Sequence, residues 1–117
     1  MDLGLRGKVA IVTGATANIG RAIALELAAE GVCLVAVGRD AQAGARIVGL
    51  ARERGAMNAV FVAADMLDPA SPARILEAAE KLGPVAVLVN GVGGNIDQGF
   101  FADSDPAKWL GDIDLNF

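Results

Sequence analysis

Short apolar runs alternate along the chain with longer segments in which polar and apolar residues mix. The runs are rich in β-branched residues and almost entirely apolar, which is typical of parallel strands covered by helices on both faces. They occupy residues 9–13, 33–37, 59–63 and 85–89. The pattern therefore predicts four buried strands, each followed by a segment long enough for a helix.

The mixed segments carry helix signals. Ile19, Ile23 and Leu27 recur at helical spacing, which predicts a helix over residues 19–30 that ends at Gly31. Capping and terminating residues predict three more helices, over residues 41–54 between Asp40 and Gly55, from Ser71 to Gly83, and from Asp105 to Phe117.

The order β-α-β-α-β-α-β-loop-α predicts an α/β fold of the Rossmann type, a doubly wound parallel sheet with strand order 3-2-1-4. No repeat, linker or domain boundary interrupts residues 1–117, so we predict one domain. Its fourth strand is expected to form an apolar edge. Gly44 and Gly49 lie inside the second predicted helix, where each costs about 1 kcal/mol relative to alanine.

Composition narrows the chemistry. The net charge of −4 and the lack of a Lys/Arg cluster argue against nucleic acid or an anionic membrane as a partner. With no His, no Tyr and only Cys33, the chain has no catalytic triad, no disulfide and no predicted metal site. No apolar run reaches the roughly 18 residues that span a bilayer. An unpaired Cys33 in an apolar strand favours a reducing cytoplasm.

A glycine-rich turn joins the first strand to the first helix, with the sequence Thr-Gly-Ala-Thr-Ala-Asn-Ile-Gly from Thr13. Unpaired amides and the helix dipole make such a turn an anion site, and small residues admit a pyrophosphate. Asn18 stands where glycine is usual, and asparagine tolerates the left-handed conformation well. The alternative is a tight βα connection without a ligand, but its place after the first strand favours a dinucleotide. The predicted cofactor contacts here are Gly14, Thr16, Ala17, Asn18 and Ile19.

The end of the second strand bears on which dinucleotide binds. Gly38-Arg39-Asp40 follows the turn by about 20 residues, as the fingerprint expects. The Arg39 guanidinium suits a ribose 2′-phosphate, so we predict NADP over NAD. Two alternatives stay open: Arg39 is a solvated residue beside a helix cap, or Asp40 turns inward to the ribose and favours NAD.

Together these residues resemble the short-chain dehydrogenase/reductase family. The turn at Thr13, Ala64-Asp65-Met66, Leu88-Val89-Asn90-Gly91-Val92-Gly93 and Trp109…Asp114-Leu115-Asn116 recur in the family's order and spacing. In this sequence Gly91 and Val92 replace the family's second Asn and its Ala.

The resemblance implies a role for each matched residue. Asp65 would accept a hydrogen bond from the adenine amino group, while the Met66 backbone contacts the ring. Asn90, Gly91 and Val92 would border the cofactor, with Thr13 tying that stretch to the first turn. Asn116 would be the catalytic Asn that holds a water in a proton relay. The alternatives are a turn residue for Asp65, purely structural roles for Thr13 and Asn90, and an ordinary polar helix residue for Asn116.

The resemblance also implies an activity, an NADP-dependent oxidoreductase acting on a small-molecule carbonyl/alcohol pair. The family's catalytic Ser and Tyr-x-x-x-Lys pair lie beyond the position of Asn116, and these 117 residues contain no Tyr. We therefore expect the cofactor-binding half of a longer reductase, inactive alone. The alternative is a non-catalytic NADP-binding module. A homo-oligomer is left open, because the family's helix matching that from Asp105 often contributes to subunit contacts.

Overall fold

A computed structural model describes residues 2–92, and the predicted helix from Asp105 and the catalytic candidate Asn116 lie outside them. The elements follow the predicted order with shifts of at most one residue at their ends, except that the third helix ends at Glu80 and not at Gly83. They are β1 (Val9–Thr13), α1 (Asn18–Ala29), β2 (Cys33–Gly38), α2 (Ala41–Arg54), β3 (Asn58–Ala63), α3 (Ser71–Glu80) and β4 (Val85–Asn90).

The strands form one parallel sheet in the order β3-β2-β1-β4, which confirms the predicted topology. In the central pair Val9 lies opposite Cys33 and Thr13 opposite Val37, while Thr13 also lies opposite Asn90 on β4. Because every strand runs in the same direction, all the carboxyl ends meet at one edge of the sheet. Ligands of doubly wound folds bind at this edge.

Two apolar clusters cover the two faces of the sheet. Leu34 and Ala36 of β2 pack towards α1 and α2, whereas Val35 and Val37 pack towards α3, with Ile75 among their neighbours. Burial on both faces explains why β2 carries no polar side chain. Each of its large side chains contributes about 1.5–3 kcal/mol to folding.

The two ends of α2 are closed by side-chain and backbone hydrogen bonds. Asp40 Oδ1 accepts from the amides of Gln42 at 2.9 Å and Ala43 at 3.3 Å. At the other end Gly55 has φ 118°, and the amides of Gly55 and Ala56 donate back to the last turn of the helix. This is the cap that the sequence predicts.

The glycines inside α2 differ in their surroundings. A Cβ on Gly44 would lie 2.3 Å from Cδ1 of Phe61, whereas a Cβ on Gly49 would meet nothing within 4 Å. Gly44 therefore lets the helix approach the Phe61 ring, a packing reason that helix propensity alone does not reveal.

The two edge strands of the described sheet, β3 and β4, differ in their hydrogen bonding and exposure. On β3, Arg52 donates to the Ala59 carbonyl at 3.0 Å and Arg74 donates to the Ala63 carbonyl at 2.8 Å. On β4, which within residues 2–92 pairs only with β1, Leu88 is 60% exposed. The predicted apolar edge is thus present in the described part of the chain.

Cys33 is buried, as its apolar setting predicts. Within residues 2–92, no helix combines the length and the hydropathy that crossing a membrane requires.

Candidate dinucleotide-binding site

A cavity of about 870 Å³ opens at the carboxyl edge of the sheet. It receives residues from the ends of all four strands and from the start of α1. Every cofactor-binding residue predicted from the sequence lies on its wall: Gly14, Thr16, Ala17, Asn18, Ile19, Arg39, Asp65, Met66, Asn90, Gly91 and Val92. The sequence reasoning did not name as contacts the neighbours Gly20, Ile23, Val37, Gly38, Ala64, Leu67 and Val89. Most of these residues adjoin a predicted contact at a strand end, and that adjacency is the sequence signal that could have identified them.

The glycine-rich turn adopts the conformation that its residues favour. Gly14 has φ 65°, and Asn18 has φ 53°, the one positive φ at a non-glycine residue within residues 2–92. Asparagine is among the few residues that visit this region routinely. The departure from glycine at position 18 therefore leaves the turn intact.

Three glycines bring separate backbone segments into contact beside the cavity. A Cβ on Gly20 would lie 2.0 Å from the Gly14 carbonyl oxygen, and one on Gly14 would lie 2.5 Å from the Gly91 oxygen. A Cβ on Gly91 would lie 2.4 Å from the Thr13 oxygen. Since the obstructing atoms are all backbone, no side-chain rotation could make room. These glycines fix α1, the turn and the end of β4 around one point.

Thr13 ties the same segments by hydrogen bonds. Its Oγ1 donates to the Val89 carbonyl at 3.4 Å and accepts from the Gly91 amide at 3.1 Å. The side chain is only 3% exposed. The structure thus gives Thr13 the tying position that the resemblance implies, and its contacts are those of a structural residue.

The start of α1 leaves its amides available. Its N-cap, Ala17, has extended backbone angles, no side chain of the described residues caps it, and no acidic residue lies in the first turn. Unpaired N–H groups and the positive end of the helix dipole therefore lie at the cavity wall. Such an arrangement binds anions, phosphate groups above all. Beside it, Ile19 is 77% exposed and gives the wall an apolar surface.

The end of β2 presents a cation to the cavity. Arg39 is exposed and lines the wall, whereas Asp40 is absent from the wall and its Oδ1 accepts from the first amides of α2. Arg39, and not Asp40, therefore lines the cavity. Gly38 lies close beneath the turn, since a Cβ there would be 2.9 Å from Cγ2 of Thr16.

The end of β3 holds Asp65 in a hydrogen-bonded turn. Asp65 Oδ1 accepts from the Leu67 amide at 2.9 Å, and the Asp65 carbonyl accepts from the fully buried Ser71 hydroxyl at 2.6 Å. Within residues 2–92 Oδ2 forms no hydrogen bond, so this carboxylate serves the turn with one oxygen and leaves the other for a ligand. Sequence reasoning used Ser71 only as a helix start and missed that it holds this turn.

Within residues 2–92, no group of three or more His, Cys, Asp or Glu side chains is placed to hold a metal ion. The cavity is lined by glycines, by the polar residues Thr16, Asn18, Arg39, Asp65 and Asn90, and by apolar residues.

A parallel 3-2-1-4 sheet with a glycine-rich turn after its first strand defines a Rossmann-type nucleotide-binding fold. The family model of the short chain dehydrogenases matches residues 8–117, so the chain belongs to that family.

Relatives and solved structures agree with this assignment. The chain is 43% identical over 89 residues to a polyprenol dehydrogenase of Mus musculus, a match that covers 74% of this chain and 27% of the relative. It is 40% identical over 91 residues to an NADP-dependent (R)-specific alcohol dehydrogenase of Lentilactobacillus kefiri, covering 76% of this chain and 35% of the relative. An NADH-dependent reductase, A1-R', crystallised with NAD, superposes with a TM-score of 0.85 at 32% identity, covering 98% of this chain and 48% of the reductase.

The chain thus spans about a third of these curated relatives and about half of the solved neighbour. The alcohol dehydrogenase of Lentilactobacillus kefiri is named as NADP-dependent and the reductase A1-R' as NADH-dependent, so a nicotinamide cofactor is common to both but its kind differs.

Proposed function

We propose that this chain is the cofactor-binding half of an NADP-dependent oxidoreductase that interconverts a carbonyl and an alcohol. The observation that carries the proposal is the cavity at the sheet edge, where the uncapped start of α1 meets backbone held close by Gly14, Gly20 and Gly91. A diphosphate needs both unpaired amides and an unobstructed backbone. The residues present therefore fit a dinucleotide.

Each part of the wall has a role in this proposal. The amides from Thr16 to Gly20 bind the diphosphate, Arg39 pairs with the 2′-phosphate, and Asp65 Oδ2 accepts from the adenine amino group. Asn90, Gly91 and Val92 border the nicotinamide half of the cofactor. When bound, the nicotinamide supplies or accepts the hydride.

The choice of NADP rests on the contrast between Arg39 and Asp40. A guanidinium on the wall offers a bidentate partner to a phosphate. Asp40 is absent from the cavity wall, and its Oδ1 accepts from two α2 amides.

A second candidate is a nucleotide-binding module without chemistry of its own. The 117 residues fit it equally well, because the Tyr with which the family moves the substrate proton lies beyond the position of Asn116. The reading frame downstream of codon 117 separates the candidates. A Ser followed by Tyr-x-x-x-Lys supports the oxidoreductase, and absence of both supports the module.

Titrating NADPH and NADH into the purified protein, with nicotinamide fluorescence as the signal, tests cofactor binding. We expect saturable binding of both, with NADPH the tighter ligand. Failure of both to saturate below about 1 mM, equivalent to a binding free energy weaker than about −4 kcal/mol, would refute the proposal. Tighter binding of NADH would refute only the choice of NADP.

A further inference from the structure

Phe61 lies on β3, two residues before that strand ends beside the candidate site. Its ring lies on the α1/α2 face of β3, where it packs against the main apolar cluster. A Cβ built on Gly44 would lie 2.3–2.4 Å from three atoms of this ring, and one built on Gly38 would lie 3.5 Å from a fourth. The ring therefore rests directly on the Gly44 backbone, and it would make ordinary van der Waals contact with a Cβ on Gly38.

The two glycines bracket the segment that carries the candidate cofactor-choosing residues. Gly38 ends β2 and Gly44 lies in the first turn of α2, so residues 39–43 run from one contact to the other. The Gly44 amide donates to the Asp40 carbonyl at 2.9 Å, which forms a first helical hydrogen bond of α2. Because the Phe61 ring contacts both ends of this five-residue segment, it restricts the conformations that the segment can adopt.

Gly44 breaks the propensity rule for a helix interior, and the Phe61 contact supplies the reason. Any side chain at position 44 would have to displace the ring. Local departures of this kind are expected where a functional site sets the geometry. Gly49, in the same helix, faces open space and shows that α2 does not need glycine in general.

We infer that Phe61 is a positioning residue for cofactor choice. By packing on Gly38 and Gly44 it fixes where α2 begins, keeps the Asp40 carboxylate on the α2 amides, and thereby holds the Arg39 guanidinium at the cavity wall. Phe61 is absent from the cavity wall itself. The inference rests on the proposed function, since it concerns how the same site discriminates NADPH from NADH.

The test compares two altered residues with two matched controls. F61A removes the ring, and V60A removes apolar packing from the adjacent β3 residue, whose side chain packs on the other face. G44A pushes on the ring, whereas G49A adds the same methyl group to α2 in open space. If F61A does not fold, F61L takes its place in the comparison with V60A.

Two readouts are needed. Hydrogen exchange without nucleotide reports the protection of the Gln42, Ala43 and Gly44 amides, and titration gives the ratio of the NADH and NADPH dissociation constants. F61A and G44A should lower this protection and reduce the preference for NADPH roughly tenfold, as a misplaced binding group does. V60A and G49A should keep the parent ratio. The effect of G44A should shrink in the F61A background, because the added methyl then has room.

The outcomes separate the two proposals. A folded F61A protein that keeps the parent ratio of the two dissociation constants overturns the positioning role of Phe61. A V60A protein whose preference for NADPH falls as far as that of F61A overturns it too. A parent protein that binds neither nucleotide refutes the proposed function, and this inference then falls with it.

Discussion

The first turns of α1 and α2 follow neighbouring parallel strands, yet they are built in opposite ways. α2 is capped by the Asp40 carboxylate, which accepts from two of its first amides. α1 has no side-chain cap among the described residues. A cap of this kind contributes about 1 kcal/mol. The chain therefore stabilises the start of α2 with a side-chain cap and leaves the start of α1 open to an anion.

Glycine serves a different purpose in each helix. In α1, Gly20 meets the Gly14 carbonyl, so the glycine keeps two backbone segments in contact at the cavity. In α2, Gly44 leaves space for the Phe61 ring, whereas a Cβ on Gly49 would meet no atom within 4 Å. The same residue type therefore ranges from indispensable to dispensable, and substitutions can rank the positions.

The largest effect is expected from G20A. Its Cβ would lie 2.0 Å from a backbone oxygen, so the turn must shift. We expect a loss of about 3 kcal/mol in the free energy of unfolding and a fall of roughly 100-fold or more in affinity for both nucleotides. Denaturant unfolding and nucleotide titration measure these. A G20A protein with parent affinity would show that close backbone approach is not what admits the ligand.

Next comes R39D, which is expected to act on one nucleotide only. Loss of a charge-assisted hydrogen bond costs about 1.5–3 kcal/mol, so NADPH affinity should fall roughly 10- to 100-fold while NADH affinity holds or rises. R46D makes the same charge change on the exposed side of α2, away from the cavity wall, and should change neither. Equal losses for both nucleotides in R39D would mean that Arg39 does not contact the phosphate.

A smaller effect is expected from D40A. Without the carboxylate the first turn of α2 loses its cap, which should cost about 1 kcal/mol in the free energy of unfolding. D40N is the matched control, because asparagine caps about as well as aspartate. NADH affinity should be unchanged in both variants. A marked fall in NADH affinity in D40N, with stability retained, would show that the carboxylate turns to the ribose.

The smallest effect, and the one of opposite sign, is expected from G49A. Alanine at an exposed helix position with open space around its Cβ should raise the free energy of unfolding by about 0.5–1 kcal/mol. Thermal or denaturant unfolding would detect it. Destabilisation by G49A would mean that α2 makes a contact at this position that the described residues do not show.

Much of the fold could be predicted because its signals are local. Apolar strand runs, the Asp40 cap and the terminal Gly55 each act within a few residues, and the strand order follows from right-handed crossovers. The contacts of Gly44 with Phe61 and of Ser71 with Asp65 could not be predicted. They depend on which residues meet once the strands and helices have packed.

The candidate site likewise combines features that the local sequence predicts with features that depend on how the strands and helices pack. Turn chemistry and spacing point to Gly14, Asn18 and Arg39 without a structure. The mutual approach of Gly14, Gly20 and Gly91 does not follow from spacing, because it depends on the register between β1 and β4. The sequence predicts Asp40 as the cap of α2 but leaves open whether its carboxylate turns inward to the ribose, and only the structure places Oδ1 on the α2 amides.

A crystal structure of the protein with NADPH tests the central claim most directly. We predict diphosphate oxygens within about 3.2 Å of amides between Thr16 and Gly20, with the 2′-phosphate against the Arg39 guanidinium. Nucleotide density at another surface, or a diphosphate remote from the start of α1, would contradict it.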